Sequence, residues 1–172
     1  PNSVTSIGEK AFNGCTSLKS VVIPEGVTSI KKEAFTNCTS LESVVIPNSV
    51  TSIGKSAFAG CSLKSVVIPN SITSIADLTF SSSSIESVVI PDSVTSIGNW
   101  AFMENRIKSI NIPDSVTFIG RGNFYRCFNL QSVVIPDGVT SIEPALFSGD
   151  AALKSVVIPK SVTSIGEEAF TS

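Results

Sequence analysis

Apolar and polar positions alternate in this chain with a fixed internal rhythm. In segments such as LKSVVI, Leu18, Val21 and Ile23 stand at the first, fourth and sixth places. Period-two alternation turns Val21 and Ile23 inward and sends Ser20 and Val22 to the opposite face, which predicts a short strand. Pro24 cannot donate to a strand ladder and ends it, and a Ser or Gly before the next apolar residue marks a turn. The stretch VTSI then brings Val27 and Ile30 back inward and predicts a short second strand or an extended turn. Five residues after each such Ile comes a Phe: Phe12, Phe35, Phe58, Phe80, Phe102, Phe124, Phe147 and Phe170. A ring in every unit is a packing column, and burying each is worth about 1.5–3 kcal/mol.

The whole pattern recurs from Pro1, Pro24, Pro47, Pro69, Pro91, Pro113, Pro136 and Pro159, at steps of 22 or 23 residues. Units of this length cannot bury their apolar side alone and must stack, so residues 1–172 read as a single array of about 7.5 units. The expected fold is a β-rich solenoid whose stacked parallel strands form one sheet, with short strands or extended turns on the return arm. Units three to five are one residue shorter between Phe and the next strand, so the coil is expected to tighten there. The chain starts on a repeat boundary without Met and stops inside the eighth unit, without polar capping repeats. A piece of a longer protein is expected.

Net charge is −2 and 42% of residues are hydrophobic, a balance that excludes a polybasic nucleic-acid binder and a disordered chain. The VVI runs are too short for membrane insertion of this segment. There is no His, which removes the usual general base and the commonest zinc ligand together. Acidic residues are scattered, and no Gly-rich phosphate loop is present. No catalytic residue, metal ligand or cofactor is assigned, and the chain does not read as an enzyme. Cys15, Cys38, Cys61 and Cys127 each follow a Phe by three residues, which predicts a column of buried thiols without disulfides. Asn37-Cys38-Thr39 is the single glycosylation acceptor pattern. Lys19, Glu42, Lys64, Glu86, Lys108, Gln131 and Lys154 alternate in sign along neighbouring rungs, a device that fixes register.

With strand, Pro, VTSI, Phe and Cys in this order, the chain resembles the BspA-like class of leucine-rich repeats along its whole length. It departs from the commonest leucine-rich form, since Gly26, Ser49 or Ser71 stands where an Asn would, so no Asn ladder is expected. The resemblance implies a right-handed leucine-rich-repeat superhelix. It also implies a surface-exposed or secreted protein, of bacteria or parasitic protozoa, that adheres to host proteins or other cells.

In a repeat protein, specificity must break the repeat. The three arginines, the one Trp, the one Tyr and the off-pattern Phe118 and Phe128 all fall between residues 100 and 128. Candidate partner-binding residues are therefore Trp100, Arg106, Asn111, Arg121, Tyr125 and Arg126, of types enriched at interface hot spots; local drift or packing between units five and six reads the same residues without a partner. The function expected is a non-catalytic protein-interaction module of an adhesin, binding a protein or other cell-surface macromolecule. The alternative is a structural spacer or stalk, or a segment that associates end to end with other copies.

Overall fold

The structure, a computed structural model, describes residues 3–171, so the repeat start at Pro1 lies outside the described residues. Among them the regular elements are short parallel strands, with no helix. Two strand columns run along the array. The first comprises Ser20–Val22, Ser43–Val45, Ser65–Val67, Ser87–Val89, Ser132–Val134 and Ser155–Val157. The second comprises Ser6–Ile7, Ser29–Ile30, Ser52–Ile53, Ser74–Ile75, Ser96–Ile97, Phe118–Ile119, Ser141–Ile142 and Ser164–Ile165. The second column settles the return arm as a strand of two residues. Between the columns each coil turns at proline, where the Val27 amide donates to the Pro24 carbonyl at 3.0 Å and later coils repeat the bond.

Side-chain parity follows the sequence. Val66 and Val133 are buried, Val21, Val44, Val88 and Val156 are partly buried, and the Ser before and the Val after each of them face out. The interior is a continuous column of Val27, Ile30, Phe35, Leu41 and their equivalents. The Phe rings form one stack, with centroids 5.0–6.4 Å apart and planes within 16° of parallel. Interior members are at most 1% exposed, whereas Phe12 and Phe170 are 41% and 40% exposed because one side of each ring is uncovered.

The Phe arm holds a third inter-coil ladder that the sequence did not reveal. Residues two before and two after each Phe of the stack from Phe12 to Phe147 are left-handed, as at Lys10 (φ 57°) and Gly14 (φ 71°), Glu33 (57°) and Asn37 (59°), Trp100 (58°) and Glu104 (54°). The left-handed residues turn alternate amides toward the next coil, so Lys10, Phe12 and Gly14 donate to the carbonyls of Lys32, Ala34 and Thr36 at 3.2, 2.8 and 2.8 Å. A left-handed non-glycine residue costs about 1–2 kcal/mol. The inter-coil bonds it enables offset that cost by satisfying backbone that would otherwise be buried unpaired.

The single expected sheet is instead interrupted. The second column divides into sets ending at Ser52–Ile53 and at Phe118–Ile119. Those breaks fall where the step between equivalent residues changes: 23 from Ser29 to Ser52 but 22 from Ser52 to Ser74, then 22 from Ser96 to Phe118 but 23 from Phe118 to Ser141. Across them the amides of Thr73, Ala76, Thr140 and Glu143 lack the inter-coil bond that Thr28, Lys31, Thr95 and Gly98 make at 2.8–2.9 Å. A one-residue change slides the arm out of register with its neighbour, so the rung is lost. The first column is interrupted too: Ser20–Val22 pairs with Ser43–Val45, Ser65–Val67 with Ser87–Val89 and Ser132–Val134 with Ser155–Val157, and the fifth coil adds only an isolated bridge, Ser109 to Ser132, at the place where Asn111 replaces Val.

The thiol column is also corrected in part. Cys38, Cys61 and Cys127 are buried, but Cys15 in the first coil is exposed, since no coil covers it on its outer side. Of the alternating charges, Lys64 and Glu42 close to an ion pair at 2.8 Å. That hydrogen bond lowers the Glu42 carboxyl and raises the Lys64 amine relative to their ordinary values.

Candidate functional site

Two surfaces stand out, on different sides of each coil. The first is the outward side of the first strand column. Val22, Val45, Val67, Val89, Val134 and Val157 lie on it in line at 53–73% exposure, beside exposed Ser20, Ser43, Ser65, Ser87, Ser132 and Ser155. Strand alternation puts them there, because inward Val and Ile at the neighbouring positions fill the core. The Pro-containing turns rise along one edge and make shallow open grooves. One runs past Val45, Pro47, Asn48 and Val67, a second past Val67, Asn70, Val89 and Asp92, and a third past Ser109, Asn111, Asp114 and Val134. Asn111 is exposed in this third groove, the one break in the Val line.

The second surface lies on the Phe arm of the fifth and sixth coils. Trp100 and Gly122 occupy equivalent positions two residues before Phe102 and Phe124. The indole lies over Gly122, where an added Cβ would sit 2.0 Å from a ring carbon. Tyr125 meets Trp100 edge-on, centroids 5.6 Å apart at 82°. The Arg126 guanidinium carbon sits 5.0 Å from the Tyr125 ring centre, a cation–π contact, and Arg126 Nη1 is 3.6 Å from Glu104 Oε1. Ser82 Oγ donates to Glu104 Oε2 at 2.9 Å, so Ser82, Glu104 and Arg126 form a polar run two residues after successive Phe rings. Arg121 is exposed, and its backbone ties it to the cluster: its carbonyl accepts from the Trp100 amide at 2.8 Å.

The structure thus brings Trp100, Arg121, Tyr125 and Arg126 into one neighbourhood and leaves two candidates apart. Asn111 belongs to the Ser-Val face. Arg106 is exposed in the turn before Ile107, where its carbonyl lies 3.5 Å from Asn129 Nδ2. Sequence reasoning missed Glu104 and Ser82, although aligning the units on Phe places both in the column of Arg126. Among the described residues no group of three or more metal-capable side chains gathers, and no helix is long and apolar enough to cross a membrane.

A profile of the BspA type leucine rich repeat region matches in six copies, over residues 1–102 and 73–172. Among solved structures, the chain is 31% identical to a Treponema pallidum leucine rich repeat protein, TpLRR, over 95% of this chain and 67% of that one, with a TM-score of 0.62. It is 33% identical to a leucine rich cell surface protein from Faecalibacterium prausnitzii A2-165, over 95% of this chain and 61% of that one, with a TM-score of 0.60. The pneumococcal vaccine antigen PcpA shares the fold, with a TM-score of 0.64 at 15% identity over 95% of this chain and 64% of that one. No curated protein matches the sequence. The chain therefore spans about three-fifths to two-thirds of the length of these relatives, at 61%, 64% and 67%. Profile, coil geometry and structural likeness agree that the chain belongs to the BspA-type leucine-rich repeat family.

Proposed function

We propose that this array is a non-catalytic protein-interaction module of a surface or secreted adhesin. The carrying observation is the line of six valines, 53–73% exposed, along one open face. Contiguous exposed apolar surface of this kind on a soluble protein marks an interaction site, whereas scattered exposed Val would need no explanation. The partner that suits it is a protein or other cell-surface macromolecule offering an extended apolar strip. The cell-surface description of the F. prausnitzii relative supports an extracellular setting. Trp100, Arg121, Tyr125 and Arg126 form a secondary anchor on a different side of the coil, with Arg106 and Asn111 outside it.

The test is surface plasmon resonance of the immobilised chain against a panel of purified extracellular-matrix and cell-surface proteins. Val67→Glu with Val89→Glu should abolish a detected interaction while circular dichroism stays unchanged, since these side chains are outside the core. Trp100→Ala with Arg126→Ala should weaken it less. A panel without binders, or binding that ignores the Val substitutions, removes this reading. A second reading, end-to-end association of copies, is favoured by the exposed Phe12 and by the apolar groove of Val4, Ile7, Phe12, Val21 and Phe35 at the first coil. Light scattering that grows with concentration, and that Phe12→Glu suppresses, would support it.

A further inference from the structure

The position three residues after each Phe performs one chemical task along the array. The thiols of Cys38, Cys61 and Cys127 donate to the carbonyls of Phe12, Phe35 and Phe102 in the preceding coil, at 3.1, 3.2 and 3.3 Å. Where Cys is replaced the donor is kept. Ser83 Oγ donates to the Phe58 carbonyl at 2.6 Å, and Asn105 Nδ2 donates to the Phe80 carbonyl at 2.8 Å. Asp150 holds this position in the seventh coil, and a carboxylate has no hydrogen to give.

Asp150 is 5% exposed. Its Oδ1 accepts from the Cys127 amide at 2.7 Å, whereas Asn105 Oδ1 accepts from the Ile85 amide, two positions further along its preceding coil, at 2.8 Å. Its Oδ2 is buried without a hydrogen-bond partner. Charge does not compensate: among the described residues no Lys or Arg pairs with Asp150, and Arg126 on the sixth coil is committed to Glu104. The exposed Lys154, Glu167 and Glu168 on the seventh and eighth coils face solvent. The other titratable group at the site is the Cys127 thiol, pushed up to about 12 by burial and, in smaller part, by Asp150 itself.

We propose that Asp150 is held as the carboxylic acid in the folded array, with Oδ2–H donating to the Phe124 carbonyl, and that its ionisation uncouples the seventh coil from the sixth. The acid completes the donor column, taking at the Phe124 carbonyl the part that Asn105 Nδ2 takes at the Phe80 carbonyl. Loss of the proton to water leaves two acceptors facing each other in a dry interior, an arrangement with no hydrogen bond and an unpaired buried charge. Burial accordingly pushes the Asp150 carboxyl up to about 8 from its ordinary value of 3.8. A folded-state value raised in this way contributes stability that is fully present below about pH 4 and is lost as pH rises toward 8.

Two measurements decide it. The side-chain carboxyl carbon of Asp150, followed by NMR in the wild-type chain, should titrate with a midpoint far above the other carboxylates; a midpoint near 4 overturns the proposal. Urea unfolding of wild type and Asp150→Asn across pH 4 to 8 should show the wild-type unfolding constant rising against the variant's, toward a limit of about tenfold per pH unit. Parallel pH profiles overturn it. Asp150→Ser and Asp150→Cys, which borrow the column's other donors, replace the Asn variant should that one fail to fold, with the same divergence from wild type expected.

Discussion

Trp100 and Gly122 show how one residue constrains its counterpart in the next coil. Both positions are left-handed, at φ 58° and 59°, yet only Gly122 has to be glycine for space, because the indole fills the volume a Cβ would need. Gly122→Ala therefore meets two costs, about 1–2 kcal/mol for left-handed backbone and a separate term for the ring. Urea unfolding of a double-mutant cycle with Trp100→Ala separates them: truncating the indole should remove the ring term and leave the backbone term. Equal cost in both backgrounds would mean that the indole does not occupy that space. The same backbone argument runs in reverse at Ser56, φ 56°, whose side chain makes no hydrogen bond. Ser56→Gly removes the left-handed penalty and adds the larger unfolded-state entropy of Gly, for a net gain of about 0.5 kcal/mol in chemical denaturation. Ser82→Gly should show no such gain, because Ser82 also donates to Glu104.

At the scale of elements, the Phe stack and the strands were legible in the sequence for different reasons. Strand parity follows from alternation, which any Ser-Val-Val-Ile segment displays, and the stack follows from a constant spacing between Ile and Phe. The left-handed residues around each Phe were not legible. Lys10, Glu33, Leu78 and Trp100 carry no common preference for that conformation, which is imposed by the amide bonds to the next coil. The Asp150 site was half legible: its column could be read by alignment on Phe, but the donor role appears only once each side chain meets the preceding carbonyl. The stack sets a graded expectation. Phe80→Ala, with a stacked ring on both sides, should cost about 3–5 kcal/mol in urea unfolding. Phe12→Ala, with one neighbour and 41% exposure, should cost less than about 2 kcal/mol. Equal costs would contradict a stack whose burial is completed by neighbours on both sides.

For the whole molecule, the sequence announced that unit length changes, but not which arm would absorb the change. Both strand columns absorb it by losing rungs, while the Phe stack runs through all the coils intact, with Phe58 and Phe80 at 5.6 Å and Phe124 and Phe147 at 5.6 Å. Native-state hydrogen exchange should therefore find the amides of Thr73, Ala76, Thr140 and Glu143 faster than those of Thr28, Lys31, Thr95 and Gly98. Uniform protection along that column would show the ladder to be unbroken. The departures from the repeat were legible in the sequence, and strand parity already kept residues of the return arms off the face of Asn111; that Ser82 and Glu104 join Arg126 required the coil to be closed. The missing rungs also have a mechanical meaning. Under tension applied at its two termini, a stack with continuous interior packing but interrupted backbone bonding in its strand columns should fracture first at those interruptions, so the array would part in blocks of coils instead of peeling turn by turn.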